Sequence, residues 1–153
     1  MSPLPIHPAV NHFPVVASFL SACCIVRAAF RPQPERSEWV RRGLFLLGVA
    51  LVSLPVVIWS GRIWAATMGI WPWSALLPPR HALDGVLRWH VLGAGISTGL
   101  VLLGLVLVRA FRRGRTGLWL VVLVVLAAAL ATGITARLGG QMAYGEPNPE
   151  AGP

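Results

Sequence analysis

Lysine is absent from the 153-residue chain and acidic side chains number five, so the formal charge of +8 rests wholly on arginine. Charge of either sign is scarce: 12% of residues are charged against 56% hydrophobic, with a mean hydropathy of +0.69. That balance excludes a disordered chain and argues against a soluble globular domain. The arginines cluster between apolar runs, where they orient a membrane protein, so no nucleic-acid partner is expected. Cysteine is limited to the adjacent Cys23 and Cys24, which lie within an apolar run and lack a Cys-x-x-Cys-His motif. Covalent haem attachment is therefore not indicated, and a bridge between them would force a strained vicinal geometry. Between Glu38 and Glu146 the only carboxylate is Asp84. With no serine or cysteine nucleophile beside a His–carboxylate pair, hydrolase chemistry has nothing to build on.

What the chain does have is four apolar runs of bilayer-crossing length, about 20 residues each. They predict an all-α polytopic membrane protein, a four-transmembrane-helix bundle forming one domain over 1–145. The spans fall at about 9–30, 43–64, 86–109 and 117–138, and a loose polar tail covers 146–153. The first run has no basic segment before it and no small-residue cleavage site after it, so it is expected to stay in the mature protein. The Arg31–Arg42 stretch reads as a loop. Trp71, Trp73 and the Pro78–Pro79 pair read as an interfacial loop, and His81–Arg88 as a polar helical lead-in. Gly139–Gly140 reads as a glycine cap ending the fourth helix. The loops after spans one and three carry the denser arginines (Arg31, Arg36, Arg41, Arg42 and Arg109, Arg112, Arg113, Arg115), which predicts that they are cytoplasmic and that both termini lie outside.

All four histidines then fall at the outer face: His7 and His12 at the mouth of span one, His81 and His90 around the start of span three. Imidazoles in a membrane helix need partners. If both are helical, His81 and His90 are separated by a rise of roughly 13 Å and face opposite ways, so one small ion does not suit both. His90 shares a stripe with Gly93, Ser97 and Gly104. A ligand nitrogen above small residues is what a flat macrocycle requires. Close helix packing is the competing use of such glycines, and Gly95–Gly99 forms a small-xxx-small step. His12 facing His90 across the bundle would hold a b-type haem with two axial imidazoles. His7 and His81 are then a second, shallower pair for a second haem, or supporting surface groups. Arg62, Arg80, Arg88 and Arg137 suit haem propionates, although snorkelling at a helix end explains any one of them.

The His7-Pro8…His12-Phe13-Pro14 opening, the histidine starting span three and the closing Leu138-Gly139-Gly140 with Tyr144 resemble a bacterial family of small four-span membrane proteins. That family is catalogued as a domain of unknown function, and the resemblance covers nearly the whole chain. It implies the four-helix fold, the bacterial inner membrane, and a redox neighbourhood, since some relatives carry a Rieske-type iron–sulfur domain. The chain departs from the pattern near Trp59-Ser60-Gly61-Arg62, which lacks an acidic residue, and after Tyr144, where Gly-Glu-Pro replaces a His-Gly pair. The functional expectation is a membrane b-type cytochrome carrying electrons near the outer face between quinol and an external carrier, as a homo-oligomer or within a larger complex. Two alternatives stay open: a non-redox membrane subunit whose histidines are interhelical hydrogen-bond groups, and an outer-face copper-binding protein, which would want three or four close nitrogens.

Overall fold

The computed structural model describes residues 6–67, 85–111 and 115–144. It is built from four helices, α1 (Ile6–Ala29), α2 (Glu35–Thr67), α3 (Val86–Phe111) and α4 (Arg115–Tyr144). Each contains an uncharged or nearly uncharged window, with mean hydropathies of 1.5, 2.2, 2.4 and 2.5 in chain order. All four are long and apolar enough to cross a membrane, and the fold is an all-helical, multi-pass membrane bundle. The N-terminal parts of α1 and α3 and the C-terminal parts of α2 and α4 border one cavity, so the helices run up and down. α1 packs on α2 and α4, and α3 packs on α4. The α2–α3 seam is the sparsest of the neighbouring contacts.

α1 buries a face of small side chains: Ala17, Ser18, Ser21, Ala22, Ala28 and Ala29, with Ile25 among them. Lipid tails give no hydrophobic drive to helix association, so close backbone approach through small residues and interhelical hydrogen bonds do that work. Ser21 Oγ donates to the Gly43 carbonyl of α2 at 2.9 Å, and a Cβ at Gly43 would stand 2.6 Å from Ile25 Cδ1. The core continues through Val101 and Val108 of α3 and Leu118, Val121, Val125 and Ala128 of α4. Large apolar side chains such as Phe19, Val52, Leu103 and Leu123 point outward, as a lipid-facing belt requires.

Two helix ends depart from the expected ones. α2 begins at Glu35, inside the stretch read as a loop, with Glu35 and Glu38 in its first turn directly after Pro34. Carboxylates there favour the positive end of the helix dipole. At 33 residues it spans roughly 50 Å against about 30 Å of hydrocarbon, so its polar start belongs to the interface. α4 runs through Gly139–Gly140 to Tyr144. The glycine pair is not a cap, since Gly85, just ahead of α3, is the glycine with positive φ among the described residues.

Candidate functional site

A cavity of about 480 Å³ lies where α2 and α3 separate, at the end of the bundle that holds the start of α1 and the end of α4. Cofactor and small-molecule sites typically measure 300–1,000 Å³. Leu54, Val57, Ala65, Val91 and Val101 make its walls largely apolar, and Asn11, Ser18, Arg62, His90 and Thr132 supply polar groups. Ile58 and Gly95 line it while being exposed, so the cavity reaches the outside between α2 and α3.

His90 is the best-defined of these groups. Its ring leaves α3 and crosses to α4, where Nδ1 lies 2.9 Å from the Thr135 carbonyl oxygen. A carbonyl only accepts, so Nδ1 carries the proton, and in the neutral ring the lone pair is on Nε2. Gly139, one turn beyond Thr135, makes room for the ring. A Cβ there would stand 2.9 Å from His90 Cε1, 3.3 Å from Nδ1 and 3.7 Å from Asn11 Nδ2. Three helices therefore converge on one glycine.

The hydroxyls around the cavity divide into two kinds. Thr98 donates to the Ala94 carbonyl and Thr132 to the Ala128 carbonyl, each at i−4, so what each has left is acceptor capacity. Ser18 is fully buried on the cavity wall, and among the described residues its Oγ has no hydrogen-bond partner. Arg62 brings a guanidinium to the same wall, half-buried. A charge at membrane depth is costly and marks a functional position by default.

The other expected site residues are distributed as follows. Ser97 is buried on the cavity wall and donates to the Gly93 carbonyl at 2.7 Å. Gly93 is not on the wall: it packs against Thr135, whose Oγ1 occupies the place of a Cβ. Gly104 likewise faces Val125 and Leu47, at 3.3 and 3.7 Å. Gly93 and Gly104 thus sit at helix-packing contacts, and Gly95, assigned to packing from the sequence, lines the cavity, as do Gly61 and Gly139. His12 is exposed and off the cavity wall; its neighbour Asn11 is on it. The structure does not bring His12 and His90 together. Arg88 and Arg137 are exposed and off the wall, with Arg88 5.9 Å from the Trp89 ring centre. His7 lies in α1, but its side chain is outside the described residues, as are Arg80 and His81 altogether. Among the described residues, no group of three or more His, Cys, Asp or Glu is placed to hold a metal ion. Ser18 and Thr135 are the site residues that the sequence reading passed over, and Gly139 was read there as a cap. The available signal was hydroxyls inside apolar helices, each needing a partner.

The model of a family described as "Predicted membrane protein (DUF2231)" matches residues 3–146. No curated protein and no solved structure matches the chain.

Proposed function

Starting from the fact that the chain belongs to this family of membrane proteins, we propose that it is a b-type haem protein in which His90 would hold the iron and the α2–α3 cavity would house the macrocycle. One observation carries the reading: the His90 Nδ1–H is committed to the Thr135 carbonyl, so the lone pair of the neutral ring is on Nε2, and the ring lines a cofactor-sized cavity. Metal-ligating histidines characteristically donate their other ring nitrogen to a carbonyl or carboxylate, which fixes tautomer and ring orientation together. Arg62 offers a bidentate donor for a propionate. Haem would supply one-electron chemistry when bound. The chain supplies the ligand nitrogen, its orientation, and an apolar wall that keeps water out. The role that follows is electron transfer between membrane quinol and an external carrier at the outer face of a bacterial inner membrane, in keeping with the Rieske-type neighbourhood that the resemblance implies.

His12 would reach the cavity only if the first turn of α1 rotated by about 100°, exchanging it with Asn11. Pro14 lacks the N–H that would bond the Val10 carbonyl, so the turn ahead of it has fewer constraints than the rest of α1. The reading is tested by oxidised and dithionite-reduced spectra of purified protein, His12→Ala and His90→Ala after haem-sufficient expression. A Soret band lost in His90→Ala is the expected result. A wild-type protein with no Soret band sinks the proposal. A second reading is favoured by the same hydrogen bond: His90 joins α3 to α4, as it would in a non-redox subunit. In that case His90→Ala lowers thermal stability and the wild type carries no haem.

A further inference from the structure

We propose that the opposite end of the bundle, where α1 passes into α2, carries a binding site for an anionic phospholipid headgroup. Residues 27–42 contain five arginines and two glutamates. Both glutamates are engaged: Glu35 pairs with Arg31 at 3.7 Å and Glu38 with Arg42 at 2.9 Å. Arg27, Arg36 and Arg41 therefore leave the turn with a positive surplus. Arg36 folds back, its Nε donating to the Arg31 carbonyl at 3.1 Å. Arg27 and Arg42 converge on one ring instead, each guanidinium carbon 4.7 Å from the Trp39 centroid. Arg42 already donates Nη2 to Glu38, whereas Arg27, over the same aromatic face, keeps its N–H edge for a planar or tetrahedral oxyanion, which a guanidinium binds in bidentate fashion.

Beside this cluster lies an open groove of about 590 Å³, lined by Trp39, Arg41, Arg42, Phe45 and Leu46. The order along α2 matches the order of a lipid. Arginines and tryptophan come first, at the level where α1 ends; Phe45 and Leu46 follow one turn deeper, with Phe45 71% exposed. Basic pockets between membrane helices recognise phosphate headgroups by charge, and the apolar continuation accepts an acyl chain. An inorganic phosphate shares the headgroup chemistry but has no use for Phe45 and Leu46, so the occupant is the lipid.

The test is native mass spectrometry of the purified full chain released from detergent. It is titrated with dioleoyl phosphatidylglycerol, dioleoyl phosphatidylcholine or inorganic phosphate. The wild type should retain phosphatidylglycerol over phosphatidylcholine by about an order of magnitude. The double variant Arg27→Gln/Arg41→Gln should fall to near parity, while Arg109→Gln, at the same end of the bundle but on α3 and off the groove, keeps the full preference. Helical circular dichroism and a monodisperse elution profile establish that the variants fold; Arg41→Gln alone, at an exposed position, is read the same way should the double variant aggregate. Equal retention of the two lipids by the wild type overturns the proposal, and so does a double variant that keeps the preference. Millimolar phosphate that strips phosphatidylglycerol completely would show a small-anion site and overturn the lipid assignment.

Discussion

An imidazole that leans on the backbone of the next helix needs a residue without a side chain opposite it. Gly139 meets that need for His90, whereas Gly140, adjacent in sequence, has nothing within 4 Å of where its Cβ would stand. The pair makes an internally controlled experiment. Gly139→Ala should cost about 1–3 kcal/mol through overpacking and displace the ring from the Thr135 carbonyl; Gly140→Ala should stay within about 0.5 kcal/mol. Thermal melts of both in one detergent check the stability difference, and haem content per polypeptide checks the displacement. Gly139 and Gly140 melting together would mean that the close approach is not part of the folded protein. His90 was legible in the sequence because a lone imidazole in an apolar run stands out. That Asn11 and not His12 faces the cavity was not legible. The two differ by one residue, about 100° of helix, and the phase of α1 is set by how its small-residue face at Ala17, Ser18 and Ser21 seats on its neighbours.

At the scale of whole helices, the bundle is fastened where backbones come close. Gly43 is the tightest such point between α1 and α2, with Ile25 Cδ1 and Cγ1 at 2.6 and 2.8 Å from its missing Cβ. Gly48, on the same helix, meets nothing within 4 Å. Gly43→Ala should therefore destabilise the protein by about 1–3 kcal/mol, with Gly48→Ala nearly neutral. Scanning calorimetry or a denaturant titration in micelles measures the gap, and equal midpoints would refute the close-packed α1–α2 seam. The four helices themselves were readable from hydropathy, since bilayer thickness dictates their length. Their ends were less so. A Gly–Gly pair serves equally as a helix terminator or as a place for a neighbouring ring, and only the position of His90 decides which. The start of α2 was hidden for a related reason: charged and proline-rich residues describe a loop and an interfacial helix turn alike.

For the molecule as a whole, the arginine counts of the two short turns predict that those turns are cytoplasmic and that both termini lie outside. Gln33→Cys in a Cys23→Ala/Cys24→Ala background should resist a membrane-impermeant maleimide in intact cells and react after permeabilisation; ready labelling of intact cells would invert the orientation. The sequence carried this asymmetry openly, because arginine counts in short loops need no tertiary information. It carried no trace of how unevenly the helices close on one another. The sparse α2–α3 seam, with Ile58 and Gly95 both exposed at its edge and both on the cavity wall, lies roughly 13 Å along α3 from its first residue, within the depth of the hydrocarbon. The cavity therefore opens sideways, toward the lipid-facing surface of the helices. A guest entering by that opening would be drawn from the bilayer, and its occupancy would track concentration in the lipid phase rather than in water.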